Sequence, residues 1–114
     1  MIQMTTNRTG ATAIRLLRQL GACLGPGAEP GQCHEREWAS ATFAGARHSF
    51  AFRLPLADRA APLPDCLAAL PDHEFDLPGD IVADCSVAIH ARTSDDDGRH
   101  WLPVVIEVLT VTAD

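Results

Sequence analysis

Residues 101–112 read Trp-Leu-Pro-Val-Val-Ile-Glu-Val-Leu-Thr-Val-Thr, a run that is apolar at both parities. A β-strand sends alternate side chains to opposite faces, so a strand wet on one side alternates apolar with polar residues. Here Leu102, Val104, Ile106 and Val108 share one face, while Val105, Leu109 and Val111 share the other with Glu107. The pattern predicts a strand buried on both faces and therefore inside a sheet. The remaining residues must cover it.

A chain of 114 residues has room for one hydrophobic core, so residues 1–114 are read as a single α+β domain with residues 1–6 as a disordered lead-in. Asn7 or Thr9 can cap a helix running to about Leu24. Its apolar stripe is Ile14, Leu17, Leu20 and Leu24, supported by Ala13, Leu16 and Cys23, with Arg15, Arg18 and Gln19 on the wet side. Gly25-Pro26-Gly27 stops it, and Gly25 to His34 is read as a loop. Two strands follow, about Glu35 to Phe43 and Arg47 to Leu54. Gly45 is expected at the first central position of a two-residue turn closed by Ala44 and Arg47. That register sets Phe43, Ala41 and Ala39 opposite His48, Phe50 and Phe52 on one surface, and Thr42, Ser40 and Trp38 opposite Ser49, Ala51 and Arg53 on the other.

Pro55 to Asp80 is a crossover with a short helix from Pro64 or Asp65 to Leu70, burying Leu63, Leu67 and Leu70. From Ile81 to Arg92 the residues alternate, with Ile81, Ala83, Cys85, Val87 and Ile89 inward and Val82, Asp84, Ser86, His90 and Arg92 outward. Thr93 to Arg99 is a hairpin loop into the last strand. The order αββαββ, with a right-handed crossover that leaves one gap, predicts a four-stranded antiparallel sheet in the order 1-2-4-3 with helices on one face. This order of elements resembles a circular permutation of the ferredoxin-like plait. The resemblance rests on no motif and implies no function.

Two helices cover one face of such a sheet. The other face is expected to show Trp38, Arg53, Val82, His90, Arg92, Trp101, Val105, Glu107, Leu109 and Val111. Its apolar stripe of Val82, Val105, Leu109 and Val111 invites association, most simply in a symmetric homodimer. The expected role is a non-catalytic interaction module that homodimerises or docks another protein through this face. The alternative is a small-ligand-binding protein or enzyme whose pocket lies at a dimer seam, where Trp38, Arg53, His90, Arg92, Trp101 and Glu107 from two chains converge.

Charge and motifs narrow the choice. The net charge of −6 disfavours binding to a phosphate backbone, and no apolar run reaches the length of a membrane span. Before Glu29 the only charged residues are Arg8, Arg15 and Arg18, so the first 28 residues carry +3 and the rest −9. An acid-free amphipathic start also fits an organelle transit peptide, but the need for a helix over the sheet favours a structural part for it. Arg15 and Arg18 interrupt any secretory apolar core, so a cytoplasmic location is expected, with Cys23, Cys33, Cys66 and Cys85 reduced.

No cofactor or metal is expected. Ser86 and His90, four apart on one strand, stand ~13 Å apart, too far for a nucleophile and its base. In Cys33-His34-Glu35 adjacent side chains point apart, and there is no metal-binding spacing of Cys or His. Asp95-Asp96-Asp97-Gly98 resembles the start of a calcium loop, but its acids are consecutive and its flanks are strands, so it reads as a hairpin tip. His73-Glu74-Phe75-Asp76 holds potential general acids without a partner fixed by spacing. No phosphate loop, dinucleotide fingerprint or nucleophile elbow is present.

Overall fold

The computed structural model describes Thr5–Thr6 and residues 10–113. Its elements are β1 (Thr5–Thr6), α1 (Ala11–Leu24), β2 (Glu29–Ala39), β3 (Ala44–Leu56), α2 (Asp65–Ala69) continued by a 3-10 turn (Leu70–Asp72), β4 (Asp80–Ile89), β5 (Thr93–Ser94) and β6 (His100–Thr112). The chain is α+β, with an open antiparallel sheet whose path is β1-β2-β3-β6-β4, and β5 pairs with β6 beside this path. The sheet therefore has two short strands beyond the four expected. Thr5–Thr6 pairs with Arg36 and Glu35 inside what was read as the lead-in, whose first four residues lie outside the described ones.

β6 lies between β3 and β4 and pairs with both along most of its length. Leu102, Val104, Ile106 and Val108 are buried beneath the helices, each adding ~1.5–3 kcal/mol of burial. β3 contributes Phe50, Phe52, Leu54 and Leu56 to the same core, and the helices contribute Leu16, Leu20, Leu24, Leu67 and Leu70. The buried stripe of α1 is Ala13, Leu16, Leu20 and Leu24, rotated slightly from the expected one, so that Ile14 is partly exposed. Leu63, expected inside, is exposed ahead of α2, which starts at Asp65. Gly10 is the N-cap of α1 and makes no side-chain capping bond; Asn7 and Thr9, the expected caps, lie outside the described residues. Gly25 ends the helix as expected.

The hairpin departs from expectation. Ala39 pairs with Ala44, so the turn is Ser40-Ala41-Thr42-Phe43 rather than one centred on Gly45. Ser40 builds it: its hydroxyl accepts the N–H groups of Thr42 and Phe43, and its own N–H donates to the Phe43 carbonyl. A serine folding its side chain back onto the turn outcompetes the glycine. Gly45 is needed for a different reason, since a Cβ there would run into the Thr110 carbonyl of β6. The shifted register pairs Trp38 with Gly45 instead of Arg53, and Glu35 with His48. β2 also starts six residues earlier than expected, at Glu29, and takes in part of the presumed loop by absorbing an extra residue in a bulge between Pro30 and Cys33.

A second bulge, between Val82 and Asp84, changes which residues of β4 face the helices. Val82 pairs with Thr110 and packs on the core, whereas Ile81 pairs with Val111 on the opposite face and is 58% exposed. Strict alternation had placed these two the other way round; the extra residue, Ala83, inverts parity on its N-terminal side. Beyond the bulge the alternation holds, with Cys85 and Val87 inward and Ser86 opposite Glu107.

Candidate functional site

The face of the sheet away from the helices is ordered in rows, because residues paired across antiparallel strands project to the same side. One row runs Trp38, Gly45, Val111, Ile81, and the next runs Arg36, Arg47, Leu109, Asp84. Then come His34, Ser49, Glu107, Ser86, followed by Ala51, Val105, Ala88. Val105, Leu109 and Val111 are half-buried by their neighbours, while Glu107, Ser86, Ala88 and Asp84 are exposed. A shallow hollow of about 210 Å³ lies beside Arg36, Arg47, Ser49 and Glu107. Arg36 faces Arg47 directly, and neither forms an ion pair among the described residues. Like charges set opposite each other are unfavourable unless a partner compensates them.

Several of the expected face residues are engaged elsewhere. Trp101 has the right parity but is 3% exposed, with the Arg53 guanidinium 3.8 Å from its ring centre and its indole N–H donating to Asp95 over 2.9 Å. Arg53 is further held by Glu29 at 2.7 Å. These two seal one end of the sheet, whereas Trp38 lies eight positions away along β3, in the Gly45 row, ~27 Å distant by strand rise. Within one chain, Trp38 does not meet Arg53 and Trp101. His90 and Arg92 fall beyond the end of β4. The His90 N–H bonds the Pro103 carbonyl, and the Arg92 side chain donates to the Arg59 carbonyl, so neither approaches Ser86. The structure thus leaves Val105, Glu107, Leu109 and Val111 together on the open face and removes Val82 to the core side.

A second region lies on the helix side of the sheet, at the N-terminal end of α1. There a cleft of about 520 Å³ is lined by Glu35, Glu37, His48, Asp80 and Thr110, among others. Thr12 of α1 donates to the Asp80 carboxylate at 2.8 Å, and Glu35 stands close to Gly10, so acids from β2 and β4 flank the helix end whose own cap is missing. His48 sits beneath, 1% exposed. Its Nε2 lies 3.3 Å from the Thr110 hydroxyl, which itself donates to the Ala46 carbonyl. Its Nδ1 has no hydrogen-bond partner and stands 3.6 Å from Glu35 Oε1, outside bonding range. Burial pulls the His48 pKa below the usual imidazole value, and the charge of Asp80 offsets this only in part. That direction favours the uncharged imidazole at neutral pH. The indole N–H of Trp38 is also buried without a partner.

Sequence reading missed this cleft, although a signal was available. His48 shares the parity of Phe50 and Phe52, and a polar residue at a core position needs a partner.

The remaining motifs resolve into structural parts. Cys33 and Glu35 project to the helix side and His34 to the other, so they form no catalytic set. The Asp95 carboxylate accepts from the N–H groups of Asp97 and Arg99 and from Trp101, and the Trp101 bond above all holds its pKa low. It organises the hairpin tip, where Gly98 takes a positive φ. Cys23 Sγ is 3.6 Å from the ring of His73, and burial raises the pKa of the Cys23, Cys33 and Cys85 thiols. Among the described residues no helix is long and apolar enough to cross a membrane, and no three His, Cys, Asp or Glu side chains stand where they could hold a metal ion. Compared with models of protein families, with curated proteins and with solved structures, the chain matches none.

Proposed function

We propose that this protein is an interaction module that pairs with a second copy of itself through the open face of its sheet. A two-fold axis running along β6 would stack Leu109 on Leu109 and Val105 on Val105, with β3 of each copy over β4 of the other. The flanking rows then meet in complementary fashion. Ile81, exposed in the single chain, would sit over the partner's Gly45, and the small residues Ala51 and Ser49 would lie over the partner's Ala88 and Ser86. Arg47 would lie over the partner's Asp84. The row Arg47–Leu109–Asp84 is the observation that carries this reading, because it sets opposite charges symmetrically about an apolar centre. Among the charged residues of these rows, Glu107, near the axis, would face its own copy.

The topology belongs to the same proposal. We read the four long strands as a ferredoxin-like plait whose first strand has moved to the end, a likeness of element order that by itself carries no activity. A cytoplasmic location is supported by four cysteines that are all free.

Light scattering after size-exclusion chromatography at micromolar concentration tests the pairing. Wild type is expected to run as a dimer. Each dimer would hold two Arg47–Asp84 pairs, each ~0.5–1 kcal/mol at a partly covered site, so Arg47→Asp should weaken Kd by roughly tenfold. Adding Asp84→Arg should restore it, and Glu107→Gln should tighten it. A wild type that is monomeric throughout, or a double variant no better than the single one, refutes the arrangement.

A further inference from the structure

We propose that Arg36 and Arg47 clamp a single phosphate group on the open face of the sheet, and that this anion competes with the second copy. The clamp belongs to the single chain, whereas its effect on association rests on the pairing proposed above.

Arg36 of β2 and Arg47 of β3 are directly paired, project to the open face and are both exposed. Residues facing each other across strands have Cβ atoms ~5 Å apart, so the two long stems can bring both guanidinium groups onto one point above the sheet. Neither is neutralised: Asp84 and Glu107 lie on the same face, yet no ion pair forms to either arginine among the described residues. Arg53, by contrast, is held by Glu29 at 2.7 Å. One dianion relieves the repulsion between two cations, and the planar fork of each guanidinium matches the oxygens of a phosphate. The hollow of about 210 Å³ beside them has room for such a group. His34 and Ser49, paired in the next row of the same face, border it and add a ring N–H, on whichever nitrogen holds the proton, and a hydroxyl.

The surroundings also restrict the ligand. Glu107 borders the hollow from β6, and Glu35 borders it from β2, where its parity carries the side chain to the helix side. These carboxylates and the net charge of −6 repel an extended polyanion, which leaves one phosphate group rather than a chain of them. In the paired arrangement Arg47 lies over the partner's Asp84. A phosphate on Arg47 occupies the place that carboxylate needs, so phosphate and the second copy exclude each other.

The experiment uses the full 15N-labelled chain at pH 7, titrated with sodium phosphate while sodium chloride holds the ionic strength constant. Glycerol 3-phosphate is titrated in parallel, and tighter binding of either compound names the source of the group. The expected result is a saturable shift centred on the amide and Nε–H signals of Arg36 and Arg47, with Kd on the order of 1 mM. Arg36→Gln should weaken it by roughly tenfold, and Arg15→Gln, on the exposed side of α1, should leave it unchanged. Sedimentation in phosphate at ten times that Kd should weaken pairing by about 100-fold, because both sites of a dimer are affected. Arg36→Gln should pair as wild type does without phosphate and lose this sensitivity. Equal shifts in chloride alone, no saturation, or equal weakening by Arg15→Gln overturns the clamp, and this contrast in wild type needs no variant to fold. A clamp that saturates while the dimer is unmoved overturns the competition. A clamp that saturates in a chain that sediments as one copy throughout supports the site and refutes the pairing instead.

Discussion

Acid should loosen this fold through His48 in a way that can be isolated. The imidazole is 1% exposed, and burial sets its native pKa below the value it regains when the chain unfolds. Between those two pKa values the unfolded chain binds a proton that the native chain does not. Stability from this group is therefore complete above the unfolded value of about 6.5 and is lost as pH falls towards the native value. A full proton of difference corresponds to a slope of ~1.4 kcal/mol per pH unit, the upper limit for one site. The measurement is urea unfolding at pH 7, 6 and 5, followed by circular dichroism, for wild type and His48→Gln. Glutamine can still hydrogen-bond the Thr110 hydroxyl but does not titrate, so the difference between the two proteins isolates His48 from the other histidines. Wild type should lose stability relative to the variant on acidification. If instead it gains, the 3.6 Å approach to Glu35 acts as a true ion pair, the native pKa is raised, and the assignment of a neutral imidazole is wrong.

Three further outcomes follow from the packing. Ile106 is fully buried at the middle of β6, so Ile106→Ala should cost ~2–5 kcal/mol and lower the thermal midpoint by roughly 8–20 °C. Gly45→Ala should destabilise by ~1–3 kcal/mol by chemical denaturation, because the new Cβ meets the Thr110 carbonyl, backbone that cannot step aside without parting β3 from β6. Cys85 is 6% exposed with its thiol pKa raised by burial, so at pH 7 a disulfide reagent should modify it far more slowly in the native protein than in urea.

What the sequence disclosed follows from periodicity. The two-sided apolar run of 101–112 lies between neighbouring strands on both sides, and the 3.6-residue stripe from Ala13 to Leu24 lies on a helix that begins at Ala11. Events that shift parity by a single residue were not legible. The Ala83 bulge moved Val82 into the core and Ile81 out of it, and nothing in Ile-Val-Ala-Asp marks where the extra residue goes. At the hairpin Gly45 is a turn signal by type, yet the Ser40 side chain makes the turn. The Ser40 turn shifts the register along the whole hairpin and pairs Glu35 with His48, which a turn centred on Gly45 would not. Trp101 and Arg53 looked like ligands because aromatic and Arg residues on an open face often are; here they cover each other.

The mass of the wild-type chain in solution decides the main claim. One copy is 12.2 kDa. Sedimentation equilibrium across micromolar loading concentrations should give twice that mass, falling towards one copy only on dilution, while Leu109→Arg should stay at one copy with unchanged circular dichroism. A wild type that sediments as one copy at every concentration would contradict the pairing of the two sheet faces.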